Sequence, residues 1–379
     1  MAKKHLLVAH LSRKTTFLLL LCANIAFAQS TLPEGAGLQL TLGAGRIVPH
    51  SPKFKAAVRG ITTAAELNYT HQTNGAAQWQ HTHRLPTLGL AATYHNFGDP
   101  EVFGEAFGIM PNIAFGTRAY SRKWYTYVRI GMGFAYLTKP FNLITNTTNT
   151  VIGQNLNNIT DIRGGVGFWL SPNTELVATA SITHFSDAAA QLPNLGINVP
   201  ALSVALRYTP QAITVYKTAD IPEILTKRWH AFAQADYGIH EQIADGGPKY
   251  FVASTTAGVL YDYNDRHHFF GGATYEFTEN AYRWTSYQYP YMNDAELFDK
   301  SSRVAVFVGD EFRFGQFAFG ISVASYVKQA ALIQFVIYEK LAARYYFLPQ
   351  KTVKPYINLQ LKAHLSVAEY ASFGGGFLF

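Results

Sequence analysis

The feature that most narrows the fold is a period-two alternation of apolar and polar residues, recurring in stretches of about ten. Leu38, Leu40, Leu42 and Ala44 alternate with Gln39, Thr41, Gly43 and Gly45. Val128, Ile130, Met132 and Phe134 alternate with Tyr127, Arg129, Gly131 and Gly133. Ile357, Leu359, Leu361, Ala363 and Leu365 alternate with Asn358, Gln360, Lys362 and His364. Successive side chains of a strand point to opposite faces, so each stretch reads as a strand with one apolar and one polar side. A strand of about ten residues crosses a bilayer when tilted, whereas strands of soluble sandwiches run nearer five or six. Polar faces rich in Arg, Lys, His, Asn and Gln suit a wet lumen. Aromatics crowd strand ends at Trp124-Tyr125, Tyr345-Tyr346-Phe347 and Phe377-Leu378-Phe379, where interfacial girdles form. No segment approaches 18 consecutive apolar residues, which argues against helical spans. The alternation predicts an all-β chain, an antiparallel transmembrane β-barrel of the outer-membrane kind.

The first residues fit export to that location. Lys3, Lys4, Arg13 and Lys14 form a basic region, Phe17 to Cys22 a short apolar one, and Ala26-Phe27-Ala28 a signal-peptidase site. A signal peptide is expected over 1–28. Its loss would remove Cys22, the only cysteine, so no disulfide, thiolate metal site or cysteine nucleophile is expected. Removing the four basic residues takes the formal charge from +7 to about +3, which gives no electrostatic case for nucleic acid. The alternating residues Phe373, Gly375, Phe377 and Phe379 resemble the signal by which outer-membrane assembly machinery takes up a barrel.

About sixteen strands are expected, eight before residue 210 and about eight after 227. The first eight fall near 36–46, 62–71, 87–96, 102–117, 122–138, 160–170, 173–186 and 199–209. Between the halves lies a stretch with Pro210 and Pro222 and no clear alternation. The expected organisation is therefore a barrel unit over 29–209, a linker over 210–227 and a second half over 228–379. Alternation leaves open whether these halves form two eight-stranded barrels or one larger barrel.

Familiar catalytic patterns are missing: no Gly-x-Ser-x-Gly elbow, no phosphate loop and no His-Glu-x-x-His helix. His81 and His83 lie in a polar stretch without an evident carboxylate and read as solvated loop histidines. Asp262, Asp265, His267 and His268 read as loop and rim residues. The segment 175–187 differs. Leu176, Ala178, Ala180 and Ile182 form its lipid face, and the same face continues to His184 and Ser186. Counted from a periplasmic N-terminus, this is the seventh strand, and its end lies at the outer leaflet. A histidine beside a serine hydroxyl can take its proton and make it a nucleophile for acyl transfer. The plainer reading is a His and a Ser that mark where the apolar strand meets a polar loop.

Two segments, IGMGFAYLTKPFN (130–142) and ITHFSDAAAQLPNLGINVPALSVALRY (182–208), resemble the outer-membrane lipid A 3-O-deacylase family, whose longer members include acyloxyacyl hydrolases of the Bacteroides group. LKAHLSVAEYASFGGGFLF (361–379) resembles the closing strands of those longer members. The resemblance implies an eight-stranded barrel with a His-x-Ser pair on its outer surface. It also implies an esterase that removes the acyl chain at the 3 position of lipid A without metal or other cofactor. By position, His184 resembles the general base and Ser186 the nucleophile. Asn194 resembles an asparagine that stabilises the oxyanion. The family's orienting glutamate corresponds to Asn198, an amide that can orient an imidazole but cannot neutralise its protonated form. The family's asparagine after the serine is here Asp187, whose charge is expected either to oppose a developing oxyanion or to hold His184. Lipid A in the outer leaflet is the expected partner. The competing reading is a non-catalytic barrel, either a pore or a scaffold, which a sixteen-strand closure would favour.

Overall fold

Sixteen stretches of alternating sequence form sixteen strands, and their hydrogen bonding divides them into two closed sets. The computed structural model describes residues 32–118, 123–213, 215, 228–241, 245–330, 335–348, 351–365 and 367–379. The expected signal peptide and most of the expected linker lie outside the described residues.

The first set is β1 (Ala36–Gly45), β2 (Thr62–Gln72), β3 (Thr87–Asn96), β4 (Glu105–Gly116), β5 (Trp124–Leu137), β6 (Leu156–Ser171), β7 (Thr174–Ser186) and β8 (Ile197–Tyr208). Every neighbouring pair is antiparallel, and β8 returns to β1 with Leu38 opposite Tyr208 and Gly45 opposite Ala201. The second set is β9 (Trp229–Glu241), β10 (Lys249–Asp262), β11 (His267–Thr278), β12 (Ser302–Phe314), β13 (Phe317–Lys328), β14 (Ile337–Tyr346), β15 (Lys354–His364) and β16 (Val367–Leu378). Here β16 closes on β9, with Leu378 opposite Phe232. The halves are therefore two eight-stranded barrels, and the single larger barrel is ruled out by the β8–β1 pairing. Short helices occupy loops: α1 (Gln78–Thr82) between β2 and β3, and α2 (Glu279–Gln288) and α3 (Asp294–Ser301) between β11 and β12. Strand bounds fall within four residues of those expected, β6 starting four residues early. β4 starts three residues later than expected because Phe103 leaves the strand to pack in the loop cap, and Gly104 turns the chain at φ +62°.

Burial follows the period of two but runs opposite to that of a soluble protein. Ile182 is 57% exposed and Leu202 71%, while Thr183 and Arg207 are buried. The apolar faces form the outside of each barrel, as a lipid solvent requires. Many of the charged groups inside are paired. Arg129 grips Glu66 with both nitrogens at 2.6 and 2.7 Å and reaches Asp161 at 3.0 Å, while Arg163 bonds the same two carboxylates. In the second barrel Arg344 and Arg313 hold Glu311, and Lys362 and Arg303 hold Glu276 and Glu369. Pairing of this kind offsets the cost of removing charges from water. An eight-stranded barrel is just wide enough for its side chains to fill. The cavity beside Glu66, His95 and Arg163 measures about 30 Å³, and that beside Lys340 and Arg344 about 20 Å³. Each is the size of a water or two, so side chains fill most of either lumen.

At one end of the first barrel β6 and β7 are joined by Pro172-Asn173 alone, and the longer β2–β3 connection carries α1. At the other end the loops 46–61, 97–104, 138–155 and 187–196 fold over the rim. Ile47, Phe97, Phe103, Val151, Ile152 and Phe185 form an apolar cap there. The two barrels touch at both ends. Near α1, Gln78 donates to Asp265 at 2.9 Å, Arg266 to the Thr82 carbonyl at 2.7 Å, and His83 meets the Arg313 carbonyl at 3.0 Å. His83 packs against Phe314 and Phe115, so it is a junction residue rather than the solvated loop histidine expected. Asp265 also joins this junction. Asp262 is a rim residue held by His230 and His268.

Candidate active site

The site forms where β7 ends under the loop cap. His184 and Ser186 share the lipid-facing side of β7, and the intervening Phe185 points into the cap and is fully buried. Residues two apart on a strand are separated by about 6.6 Å along it, so the pair are neighbours without being forced together. Antiparallel register places Asn198 of β8 directly opposite His184. Their side chains meet at 2.7 Å, His184 Nδ1 to Asn198 Oδ1.

A third residue fixes which way this bond runs. His50, in the loop after β1, lies with Nε2 2.9 Å from the Leu195 carbonyl and Nδ1 3.1 Å from Asn198 Nδ2. A carbonyl only accepts, so His50 Nε2 carries a hydrogen there, and its neutral Nδ1 accepts from the Asn198 amide. Asn198 Oδ1 then faces His184, whose Nδ1 must be the donor. The bare lone pair of His184 is left on Nε2. The competing assignment would send His50 Nδ1–H to the Val48 carbonyl at 3.4 Å, a poorer distance. Gly196 closes the site from above at φ +79°. A Cβ there would stand 2.6 Å from His184 Cε1, so only glycine admits the ring.

Ser186 has different partners. The amide of Asn194 donates to Ser186 Oγ at 2.9 Å, the Ala188 N–H donates to it at 3.2 Å, and Asn194 Oδ1 accepts from the Asp187 N–H at 3.2 Å. The serine oxygen thus meets two N–H donors, its own hydroxyl lies 3.1 Å from Asn194 Oδ1 as acceptor, and it bonds Asn194 rather than His184 in this state. Ala188 and Ala189 adopt positive φ of 58° and 62°, which costs non-glycine residues on the order of 1 kcal/mol or more each. Two such residues directly after Asp187 mark a turn held by its surroundings.

Asp187 lies elsewhere. Its side chain is buried under the loop, where Oδ2 accepts from the Gln191 N–H at 3.1 Å, and it makes no hydrogen bond to His184. The expectation that its charge holds His184 fails, because β-strand alternation turns residue 187 to the opposite side from 184 and 186. Burial pushes its carboxyl up to about 7, with hydrogen bonds from the Gln191 and Ala189 amides working against that shift. Among the described residues no group of three or more His, Cys, Asp or Glu side chains is placed to hold a metal.

Sequence reasoning missed His50, whose contact with Asn198 spans 148 positions and has no periodic trace. The Asn198 contact did have a signal, since a hairpin that pairs β7 with β8 sets 198 opposite 184.

Residues 63–207 match the family model described as lipid A 3-O-deacylase (PagL), and residues 228–379 match that described as acyloxyacyl hydrolase, C-terminal domain. The chain belongs to the lipid A 3-O-deacylase family. The second barrel is thus the part that matches an acyloxyacyl hydrolase C-terminal domain. Three solved structures resemble parts of the chain. The outer membrane enzyme PagL is 15% identical, covers 44% of this chain and 97% of its own, and has a TM-score of 0.32. Neisserial surface protein A is 12% identical with coverages of 46% and 97% and a TM-score of 0.31. A designed transmembrane β-barrel is 12% identical with coverages of 47% and 97% and a TM-score of 0.24. No curated protein matches the chain.

Proposed function

We propose that this family member is an active outer-membrane esterase that removes an ester-linked acyl chain from lipid A by a serine-histidine mechanism. The observation that carries the reading is the directed relay from His50 through Asn198 to His184. It leaves a bare imidazole nitrogen on the lipid-facing surface two residues from Ser186. Attack requires Ser186 to leave Asn194 and turn toward His184, a change compatible with the looser hydrogen bonds that catalytic groups show before substrate binds. Ser186 Oγ then adds to the ester carbonyl while its proton passes to His184 Nε2. The negative charge that develops on the carbonyl oxygen is met by the Asn194 amide, with the Ala188 N–H nearby. When the intermediate collapses, the bond to the sugar oxygen breaks and that oxygen takes the proton from His184. Water, deprotonated by the same nitrogen, cleaves the acyl-serine and releases the fatty acid. Asn198 stands where the family has a carboxylate. It orients the ring without neutralising the imidazolium, so a slower enzyme is expected.

The substrate reaches the site sideways from the membrane, because His184 and Ser186 face outward and the lumens are filled. Filled lumens give no support to a pore. The deciding experiment is mass spectrometry of lipid A from cells expressing the wild type or Ser186→Ala. Loss of one ester-linked acyl chain with the wild type alone is the expected result. Identical lipid A in both, with folded protein in the outer membrane, would overturn the reading.

A further inference from the structure

The second barrel reaches the site of the first. Its sequence His364-Leu365-Ser366 repeats the His-x-Ser spacing, but both ring nitrogens of His364 are engaged, by the Ile337 carbonyl at 3.1 Å and Glu369 at 3.0 Å. The approach to the first site is made by β9. It ends beside the loop 187–196, and its last residue, Glu241, contacts that loop twice. The Glu241 N–H donates to the Ala189 carbonyl at 2.9 Å, and Glu241 Oε2 accepts from the Leu192 N–H at 2.7 Å. Glu241 is almost fully buried, so both bonds are shielded from water. The two contacts lie at and just beyond the strained pair Ala188 and Ala189. Conformations of that kind persist only where neighbouring structure holds them.

Directly beyond Leu192 the same loop supplies the site. Asn194 meets Ser186, and Gly196 covers His184. A loop free to relax at 188–189 would carry Asn194 away from the serine. We infer that the C-terminal barrel is a positioning element for the first barrel's chemistry, with Glu241 clamping the loop that presents Asn194 and Gly196. The inference rests on the deacylase reading for its catalytic meaning. The clamp is a structural claim that can be tested apart from it. It gives the second barrel a role that its packed lumen does not suggest: a rigid wall against which a strained loop is set.

The test uses the full chain in detergent with lipid A as substrate. Glu241→Ala removes the Leu192 acceptor and keeps the backbone bond. Its expected effect is a fall of about fivefold in kcat, the worth of one hydrogen bond of about 1 kcal/mol, with KM within about twofold. Hydrogen exchange is expected to speed up in the peptide covering 187–196 while the strands of both barrels stay protected. Glu241→Gln keeps an oxygen acceptor and should restore both readouts. If the alanine variant does not insert, Glu241→Leu, which holds the volume without the acceptor, takes its place. An active wild type with unchanged kcat in the acceptor-free variant overturns the clamp and leaves the deacylase intact. A wild type that leaves lipid A untouched overturns the deacylase, and exchange alone then decides. Unchanged exchange across 187–196 overturns the clamp in either case.

Discussion

If the relay decides which nitrogen of His184 is free, removing His50 should cost activity only while residue 198 can flip. In the wild type, Asn198 Nδ2 donates to His50 at 3.1 Å and its oxygen accepts from His184 at 2.7 Å. His50→Ala removes the partner that holds the amide in this orientation. In the flipped amide, Nδ2 would face His184 Nδ1 and shift the hydrogen to Nε2, abolishing the base. Losing that hydrogen bond of about 1 kcal/mol shifts the ratio of productive to flipped amide by roughly fivefold, and kcat falls by up to that factor. Asn198→Asp has two equivalent acceptors and cannot present a donor, so it fixes the productive tautomer without His50. Its charge-assisted bond to the imidazolium is roughly twice as strong as a neutral one, a gain of about 1 kcal/mol, and kcat should rise by about fivefold. In the Asn198→Asp background, His50→Ala should cost less than about twofold. The assay is the initial rate of fatty acid release from lipid A in micelles for all four proteins, with KM measured beside kcat. An equal penalty for His50→Ala in both backgrounds would falsify the relay, as would no penalty in the wild-type background.

Three further outcomes are expected. Gly196→Ala forces a Cβ to 2.6 Å from the His184 ring at a φ of +79°, so turnover should fall at least tenfold while the barrel still folds, as read by gel mobility without heating. Arg129→Ala strands Glu66 and Asp161 in the lumen with Arg163 alone and should lower stability by about 3–5 kcal/mol, read as an earlier urea transition in vesicles. Asp187 has its folded carboxyl raised to about 7 by burial and the nearby Glu241, with Lys249 and two loop amides opposing. Its contribution is therefore fully present below the unfolded value of about 4 and is lost as pH rises through 7. Protection of the loop 187–196 against hydrogen exchange, corrected for intrinsic rates, should fall between pH 5 and 8, and Asp187→Asn should flatten that trend.

Strand positions were legible because a barrel wall makes every second residue face lipid, and that demand is written into Leu38–Ala44 and Leu176–Ile182 alike. The number of barrels was not legible. Closure depends on whether β8 hydrogen-bonds β1, and the same alternation serves either partner. In the site, strand parity placed His184 and Ser186 on one face and, correctly applied, also places Asp187 on the other. Assigning Asp187 to His184 overlooked that parity. His50 and Glu241 were beyond reach for another reason. They sit at the start of a loop and at the end of a strand in a different barrel, and only the folded cap brings them to residues 198 and 192.

Two separate closures have a consequence for biogenesis. An unclosed sheet exposes two edges with unpaired backbone groups, which cannot remain bare in a bilayer and invite pairing with foreign strands. This chain must shelter such edges twice, once until β8 finds β1 and again until β16 finds β9. The first closure uses a strand from the middle of the polypeptide. Whatever guides insertion must seal two separate cylinders from one polypeptide.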